Sequence, residues 1–185
     1  MLDLLWSSIR PLRPEAENHS GIREQNLRIA ALAASAIAAI ALAMPAAALT
    51  VEAKVSPEFQ KKLDDDIGQR EARILTDSLT RKVNDIFTSR GVRADRVVVT
   101  IEDARPNKPT MEQVSNKPGL DAMRSLSTGG AEVSGIAYDA SGAEIGRLDY
   151  EWYESDLRQS VGSTTWTDAR TAFDRFSRRF AEKLS

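Results

Sequence analysis

Residues 131–153, AEVSGIAYDASGAEIGRLDYEWY, carry the clearest structural pattern in the chain. Their two apolar-rich segments flank the sequence Asp-Ala-Ser-Gly-Ala at 139–143, and a glycine that follows Asp and Ser is typical of a β-hairpin turn. In the second segment Leu148, Tyr150 and Trp152 alternate with charged residues. This alternation predicts one buried and one solvated face, as in an antiparallel sheet.

Upstream of the hairpin, the sequence predicts two strands, at 50–55 and 96–102, with a helix between them. Ser56-Pro57-Glu58 is a typical helix start, and an apolar stripe then continues to a glycine after Arg90, a typical helix end. Gly68 interrupts the stripe, so the first turns can form a separate piece.

Downstream of the hairpin, Thr165-x-x-Asp168 is read as a capping signal for a final helix. The apolar stripe of that helix consists of Ala169, Ala172, Phe173, Phe176, Phe180 and Leu184. Taken together, the elements predict a single α+β domain over residues 49–185. We expect a two-layer sandwich in which a mainly antiparallel sheet of about four strands carries two helices on one face.

The connection at 103–130 is long and contains three prolines and three glycines. Loops of this length are usually either functional or mobile, and both interpretations stay open here. The connection is also locally basic within a slightly acidic chain. We therefore take it as the candidate partner-binding surface, together with an aromatic residue at the end of the hairpin: Arg105, Lys108, Lys117, Arg124 and Tyr153.

Residues 26–48 have the parts of a secretory signal peptide: a basic flank, an apolar run and small residues before the Ala48-Leu49 bond. Cleavage there predicts a periplasmic or secreted protein. The alternative is an inner-membrane anchor formed by residues 29–49, although the run is mostly alanine. Residues 1–25 form an extension before the signal, and a start codon near Leu27 is the alternative to initiation at Met1.

Composition excludes several kinds of chemistry. The chain has 25 basic and 27 acidic residues, so a net charge of −2 gives no case for nucleic acid. Cysteine is absent and the single histidine, His19, lies in the part expected to be removed. Cysteine and histidine nucleophile systems and the common zinc sites are therefore excluded. We expect no catalytic residue, no cofactor and no metal, and thus a protein that is not an enzyme.

Carboxylates offer the remaining chemistry. Asp149, Glu151, Glu154 and Asp156 suggest the alternative of a carboxylate-dependent hydrolase acting on envelope glycans. Their expected position on the solvated face argues against the raised pKa that such catalysis needs. The run Asp64-Asp65-Asp66 is interpreted as an acidic first helical turn, because successive helical side chains diverge by about 100° and do not converge on one ion.

Large aromatic side chains are candidate anchors for a partner. Packing is the favoured interpretation for Trp152 and Trp166, while Tyr153, on the opposite strand face from Trp152, stays open between core and exposed positions.

Several stretches between residues 96 and 184 resemble a bacterial family of exported α+β domains of unknown function, many of them lipoproteins. They are Asp103-Ala-Arg-Pro, Gly129-Gly130-Ala, Asp139-Ala-Ser-Gly and Trp166-Thr-Asp-Ala-Arg-Thr-Ala-Phe-Asp. The resemblance implies an envelope location and supplies no catalytic residues. The chain departs from the family's lipoproteins because it has no cysteine to carry a lipid.

The sequence therefore predicts a non-enzymatic accessory module that binds an envelope protein or another envelope component through the 103–130 loop. Contact with a membrane is expected only if the signal segment is retained. A third hypothesis is a small apolar ligand between sheet and helix.

Overall fold

The computed structural model describes residues 49–185, and the expected signal peptide and the extension before it lie outside the described residues. The elements, in chain order, are β1 (Thr50–Val55), α1 (Pro57–Lys62), a π-helical turn (Leu63–Ile67), α2 (Gln69–Arg90), β2 (Arg96–Arg105), α3 (Met111–Asn116), β3 (Gly130–Tyr138), β4 (Glu144–Tyr153), a 3-10 turn (Leu157–Ser160) and α4 (Thr167–Leu184). The α+β class is confirmed.

The four strands form one mixed sheet in the order β1-β2-β3-β4. The β2–β3 and β3–β4 pairs are antiparallel, as expected, but β1 pairs with β2 in parallel, Thr50 opposite Arg96 and Val55 opposite Ile101. The reason is the connection: α1 and α2 carry the chain back along the sheet, which is the crossover that parallel neighbours need. The expectation of two helices was too low, because two short helices accompany the two long ones.

The two long helices cover the same face of the sheet, α2 over β1 and α4 over β3 and β4. Phe173, Phe176 and Phe180 are fully buried there. Gly135 of β3 makes room for them, since a Cβ at that position would stand 2.7 Å from Phe176. The predicted burial of the α4 stripe is confirmed from Ala169 to Phe180, whereas Leu184 is half-buried. The hairpin is also confirmed, and its second strand has the predicted bounds.

Gly68 divides the first helical segment, as its position suggested. Its φ of 105° lies in a region that side-chain-bearing residues rarely adopt, and it separates the π-helical turn from α2. The interpretation of Asp64-Asp65-Asp66 as an acidic first helical turn is confirmed, since they lie in the first turn of the π-helical segment Leu63–Ile67, which directly follows α1. Asp66 there accepts a hydrogen bond from Gln113 of α3.

Two further corrections concern the loops. The long connection contains α3, whose Thr110 and Gln113 form a reciprocal capping box. The capping role predicted for Thr165-x-x-Asp168 was wrong, because α4 begins at Thr167 and no side chain caps it. Within residues 49–185, no helix combines the length and apolar character needed to cross a bilayer.

Candidate functional site

Two loops meet at the end of the sheet where β2 and β4 finish and β3 begins. They comprise residues 106–129 and 154–165, and we call their joint surface the loop end. The backbone N–H of Asn107 donates to the carbonyl of Thr165 over 2.8 Å, and the N–H of Glu154 donates to Gly129 over 2.9 Å. These bonds join the two loops.

A buried pair, Asn107 and Asp168, holds the loop end together. The side-chain amide of Asn107 donates to Asp168 Oδ2 over 2.5 Å, and the Asp168 N–H donates back to Asn107 Oδ1 over 2.9 Å. The same Oδ2 accepts the N–H of Gly129 over 2.9 Å, and the Asn107 amide also reaches Ser160 Oγ at 3.3 Å. Asn107 is fully buried and Asp168 is 6% exposed, so these polar atoms depend on one another for partners.

Gly129 is required by the same arrangement. A Cβ at Gly129 would stand 2.7 Å from Asn107 Oδ1 and 2.8 Å from the carbonyl oxygen of Arg105. A side chain there would push Asn107 away from Asp168. Gly129 is thus explained by its close packing against Asn107, whereas Gly130, the first residue of β3, lies close to the backbone of Trp152 in β4.

Large apolar side chains are exposed at the loop end. Of the seven that are exposed in the described part of the chain, five belong to the two loops: Met111, Met123, Leu126, Leu157 and Val161. Two clefts lie on either side of α3. One, of about 310 Å³, is lined by Arg105, Pro106, Pro109, Leu120 and Leu126. The other, of about 510 Å³, is lined by Gly68, Arg70, Glu71, Met111 and Glu112.

The predicted partner-binding residues have different surroundings. The guanidinium of Arg105 lies 4.8 Å from the centre of the Tyr153 ring. Tyr153 is half-buried and donates its hydroxyl to Asp103 over 3.1 Å. Burial, and next the Asp103 carboxylate, raises the pKa of the Tyr153 hydroxyl. Arg105 and Tyr153 therefore lie together at the edge of the loop end.

The other three predicted cations do not form one patch. Lys117 forms an ion pair with Asp66, and its hydrogen bond is the main cause of a lowered pKa at that carboxyl. Lys108 is half-buried, and Arg124 is exposed on a turn that the Asp121 carboxylate stabilises. Neither Lys108 nor Arg124 forms an ion pair with the residues described, so both are available to an acidic partner.

The packing interpretation of the two tryptophans is supported by their contacts. Trp166 is 2% exposed, and its indole N–H donates to Glu71 of α2 over 2.6 Å. Trp152 is half-buried, and the guanidinium of Arg175 lies 4.1 Å from its ring centre. Both side chains therefore connect α4 or its start to the rest of the core.

The four carboxylates of the hydrolase hypothesis are divided between two places. Asp149 and Glu151 lie on the open face of the sheet, and Glu151 is directly opposite Glu132 of β3. Glu154 accepts backbone N–H groups of its own loop, and Asp156 pairs with Arg158. The sequence reasoning missed Glu132, although its place on the outward face of a predicted strand could have indicated it.

Among the carboxylates of residues 49–185, Glu132 is the one whose pKa is raised. Although its side chain is exposed, the loss of part of its hydration is the largest cause, followed by Glu151 and then by the neighbouring acids of β2 and β4. The folded protein thus holds the proton of Glu132 to a higher pH than the unfolded chain does. This contribution to stability is complete below the ordinary glutamate pKa and is lost as the pH rises through the raised value.

We expect Glu132→Gln to make the protein more stable than the wild type at pH 7, by less than about 1 kcal/mol because the site is exposed. The difference should disappear as the pH is lowered below 4.5, the ordinary value. Urea unfolding at a series of pH values measures it. Asp139→Asn is the control, because turn hydrogen bonds lower the pKa of Asp139 and its substitution should destabilise the protein at pH 7. A constant difference for Glu132→Gln at every pH would contradict the electrostatic explanation.

In residues 49–185 no three carboxylates or histidines stand close enough together to hold a metal ion. What the loop end offers chemically is apolar contact area, two clefts and a few cations on a backbone held by buried hydrogen bonds. Such a surface suits binding.

The fold and the loop end together define an α+β domain with two loops joined by buried hydrogen bonds at one end of the sheet. No family model matches the chain, and no curated protein matches it. A solved structure described as a "putative lipoprotein" from Caulobacter crescentus is 15% identical and covers 72% of this chain and 83% of its own, with a TM-score of 0.25. A likeness of that size carries no argument about function, so the resemblance to exported domains stays a prediction.

Proposed function

We propose that this protein is an exported, non-enzymatic module that binds another envelope protein through the loop end. The observation that carries the proposal is the concentration of exposed apolar side chains on two loops held by a buried pair, Asn107 and Asp168. Contiguous exposed apolar surface on a folded domain usually marks an interaction site. A backbone already held in place reduces the entropy lost on binding.

The surface favours a partner segment with apolar side chains and acidic neighbours. Met111, Met123 and Leu126 would contact the apolar groups, and methionine adapts to different shapes because its side chain is flexible and polarisable. Lys108 and Arg124 would attract carboxylates at the rim of the contact, mainly affecting the rate of association.

The envelope location within this proposal rests on the leader. A basic flank, an apolar run and small residues before Leu49 support export, and the absence of cysteine is compatible with an oxidising compartment. Peptide mapping of the protein recovered from a periplasmic extract tests it, with Leu49 expected as the first residue.

A photoreactive residue at position 123, in cells expressing the full-length sequence, is expected to give a cross-linked product of discrete mass. The double substitution Met111→Glu/Leu126→Glu should reduce that product about tenfold, because charges are placed where apolar contacts form. Mass spectrometry of the product identifies the partner.

The matched controls use Ile145, an exposed apolar residue of β4 outside the loop end. A photoreactive residue at 145 should give no such product, and Ile145→Glu should leave the product at 123 unchanged. Equal cross-linking from both positions would contradict the proposal. Hydrolysis of an envelope glycan that requires Asp149, Glu151, Glu154 and Asp156, with the loop variants unaffected, would instead favour the hydrolase.

A further inference from the structure

The free edge of β1 is an unpaired row of backbone groups in the described part of the chain. The N–H of Thr50 donates to Asp95 and the N–H of Ser56 donates to Ile101, so the even-numbered residues of β1 direct their backbone toward β2. In a parallel pair the alternate residues point away. The N–H and C=O groups of Val51, Ala53 and Val55 therefore face the free edge.

The side chains on this edge are incompletely buried. Val51, Ala53 and Val55 face the helical layer but remain partly exposed, whereas their neighbours Val97, Val99 and Ile101 on β2 are fully buried. One more strand beside β1 would complete their burial.

The opposite edge of the sheet is obstructed. Lys183 of α4 donates its ammonium group to the backbone carbonyl of Arg147 in β4 over 2.6 Å. Arg175 and Arg179 also lie over the aromatic rings of Trp152 and Tyr150 on this strand. Lysine and other charged side chains at an edge strand are a common protection against further pairing. In the described part of the chain no side chain bonds to the outward backbone groups of β1, whose charged residues Glu52 and Lys54 lie on the open face.

We infer that β1 pairs antiparallel with β1 of a second copy of this chain, about a two-fold axis at Ala53. In this register Ala53 faces Ala53 and Val51 faces Val55 of the other copy. All three residues with outward backbone groups then occupy hydrogen-bonded positions, and an eight-stranded sheet results.

The charges on β1 favour both this register and a second copy of the same chain as the partner. With the axis at Ala53, Glu52 of each copy lies opposite Lys54 of the other on the open face. A shift of the axis by one residue would place Glu52 against Glu52 or Lys54 against Lys54, and like charges directly opposite are destabilising. Glu52 Oε2 lies 3.9 Å from Arg96 Nη1 within the same copy. Lys54 forms no ion pair with the residues described.

On the helical layer, the flank of α2 away from α4 would face the second copy. Glu71 and Lys82 of α2 contact Trp166 and Asp174 on the α4 side. Thr80 lies about 180° around the helix from Glu71, and so on the flank toward the free edge of β1. Thr76 and Thr80 of this flank are half-buried with short side chains, and the longer Arg73 beside them is exposed, so that it would turn toward solvent when the second α2 lies alongside.

The test uses the protein recovered after expression of its full-length sequence, with its mass measured by light scattering after size-exclusion chromatography. We expect a dimer for the wild type. Lys54→Glu alone and Glu52→Lys alone should each dissociate at concentrations at least about tenfold higher, because each places like charges opposite one another twice. An equimolar mixture of the two variants should recover the dimer as a heterodimer.

Two further variants separate this interface from others. Ala53→Pro removes only an outward N–H, so the fold should persist by circular dichroism while the dimer is lost. Arg147→Glu makes the same charge change on β4 and should leave the dimer intact. A monomeric wild type, a dimer that survives Lys54→Glu and Ala53→Pro, or single variants that do not complement each other would overturn the inference. Edge pairing with a different protein would appear as a monomeric wild type.

Discussion

A chain that ends at Thr165 is expected to show no cooperative unfolding transition. Such a chain lacks α4, and the inner face of β3 and β4 would lose its cover. Burial of Phe173, Phe176, Phe180 and Leu184 contributes about 6–12 kcal/mol as an upper estimate. That range is comparable with the whole stability of an ordinary domain, about 5–15 kcal/mol. Urea unfolding followed by the fluorescence of Trp152, which the shortened domain retains, measures the loss.

A chain that ends at Lys183 is the matched control for this truncation. It keeps the three phenylalanines and the Lys183 contact with β4, and it loses only half-buried Leu184, which packs close to Gly146, and the exposed terminal Ser185. We expect a cooperative transition with stability lowered by about 1 kcal/mol. If the chain ending at Thr165 unfolded with the same midpoint and slope as the full chain, α4 would not be part of the core.

Strands and helices whose apolar residues recur at a regular spacing could be predicted from the sequence. Alternation in β4 gave both its bounds and its buried face, because the residues of a hairpin strand meet partners that are close in sequence. The stripe on α4 gave the burial of its phenylalanines for a similar reason: a period of 3.6 residues places them on one side of a helix.

Pairings between distant segments could not be predicted in the same way. A six-residue strand such as β1 has the same local pattern whether it pairs parallel or antiparallel, so only the helical crossover that follows it indicates its direction. The short helix α3 was missed because its six residues show no apolar stripe, although the capping box at Thr110 was present in the sequence.

The loop end shows what residue type alone can and cannot indicate. The sequence identified the 103–130 segment as a candidate surface from its length and cations, yet Lys117 is occupied by Asp66 and the exposed methionines were not considered. The Asn107–Asp168 pair spans 61 positions, and no local pattern joins an asparagine after a strand to an acid in a helix. The one available signal in the sequence was Asn107 itself, an asparagine that lies between Pro106 and Pro109 in a long loop.

Asp168→Ala is expected to lower the free energy of unfolding by about 3 kcal/mol. The substitution leaves the buried Asn107 amide and the Gly129 N–H without their shared acceptor, and each unsatisfied buried donor costs about 1–3 kcal/mol. Asp168→Asn should cost less, since both donors bond to one oxygen atom, Oδ2, which an amide oxygen can replace. Urea unfolding of the three proteins measures the order, with exposed Glu182→Gln as a surface control within about 0.5 kcal/mol of the wild type.

The residues at which Asp168→Ala increases amide hydrogen exchange are as informative as the amount by which it lowers the free energy of unfolding. Asp168 joins α4 to Asn107 and Gly129 of one loop, and the carbonyl of Gly129 accepts the N–H of Glu154 in the other. Its removal should therefore increase amide hydrogen exchange at Ser127, Gly129 and Glu154 more than at the β3–β4 ladder. Exchange that rises equally along the whole sheet would mean that Asp168 supports the core in general. An increase in exchange confined to the loop end, together with a weaker cross-link from position 123, would show that binding depends on the buried hydrogen bonds of Asp168 that hold the loop backbone.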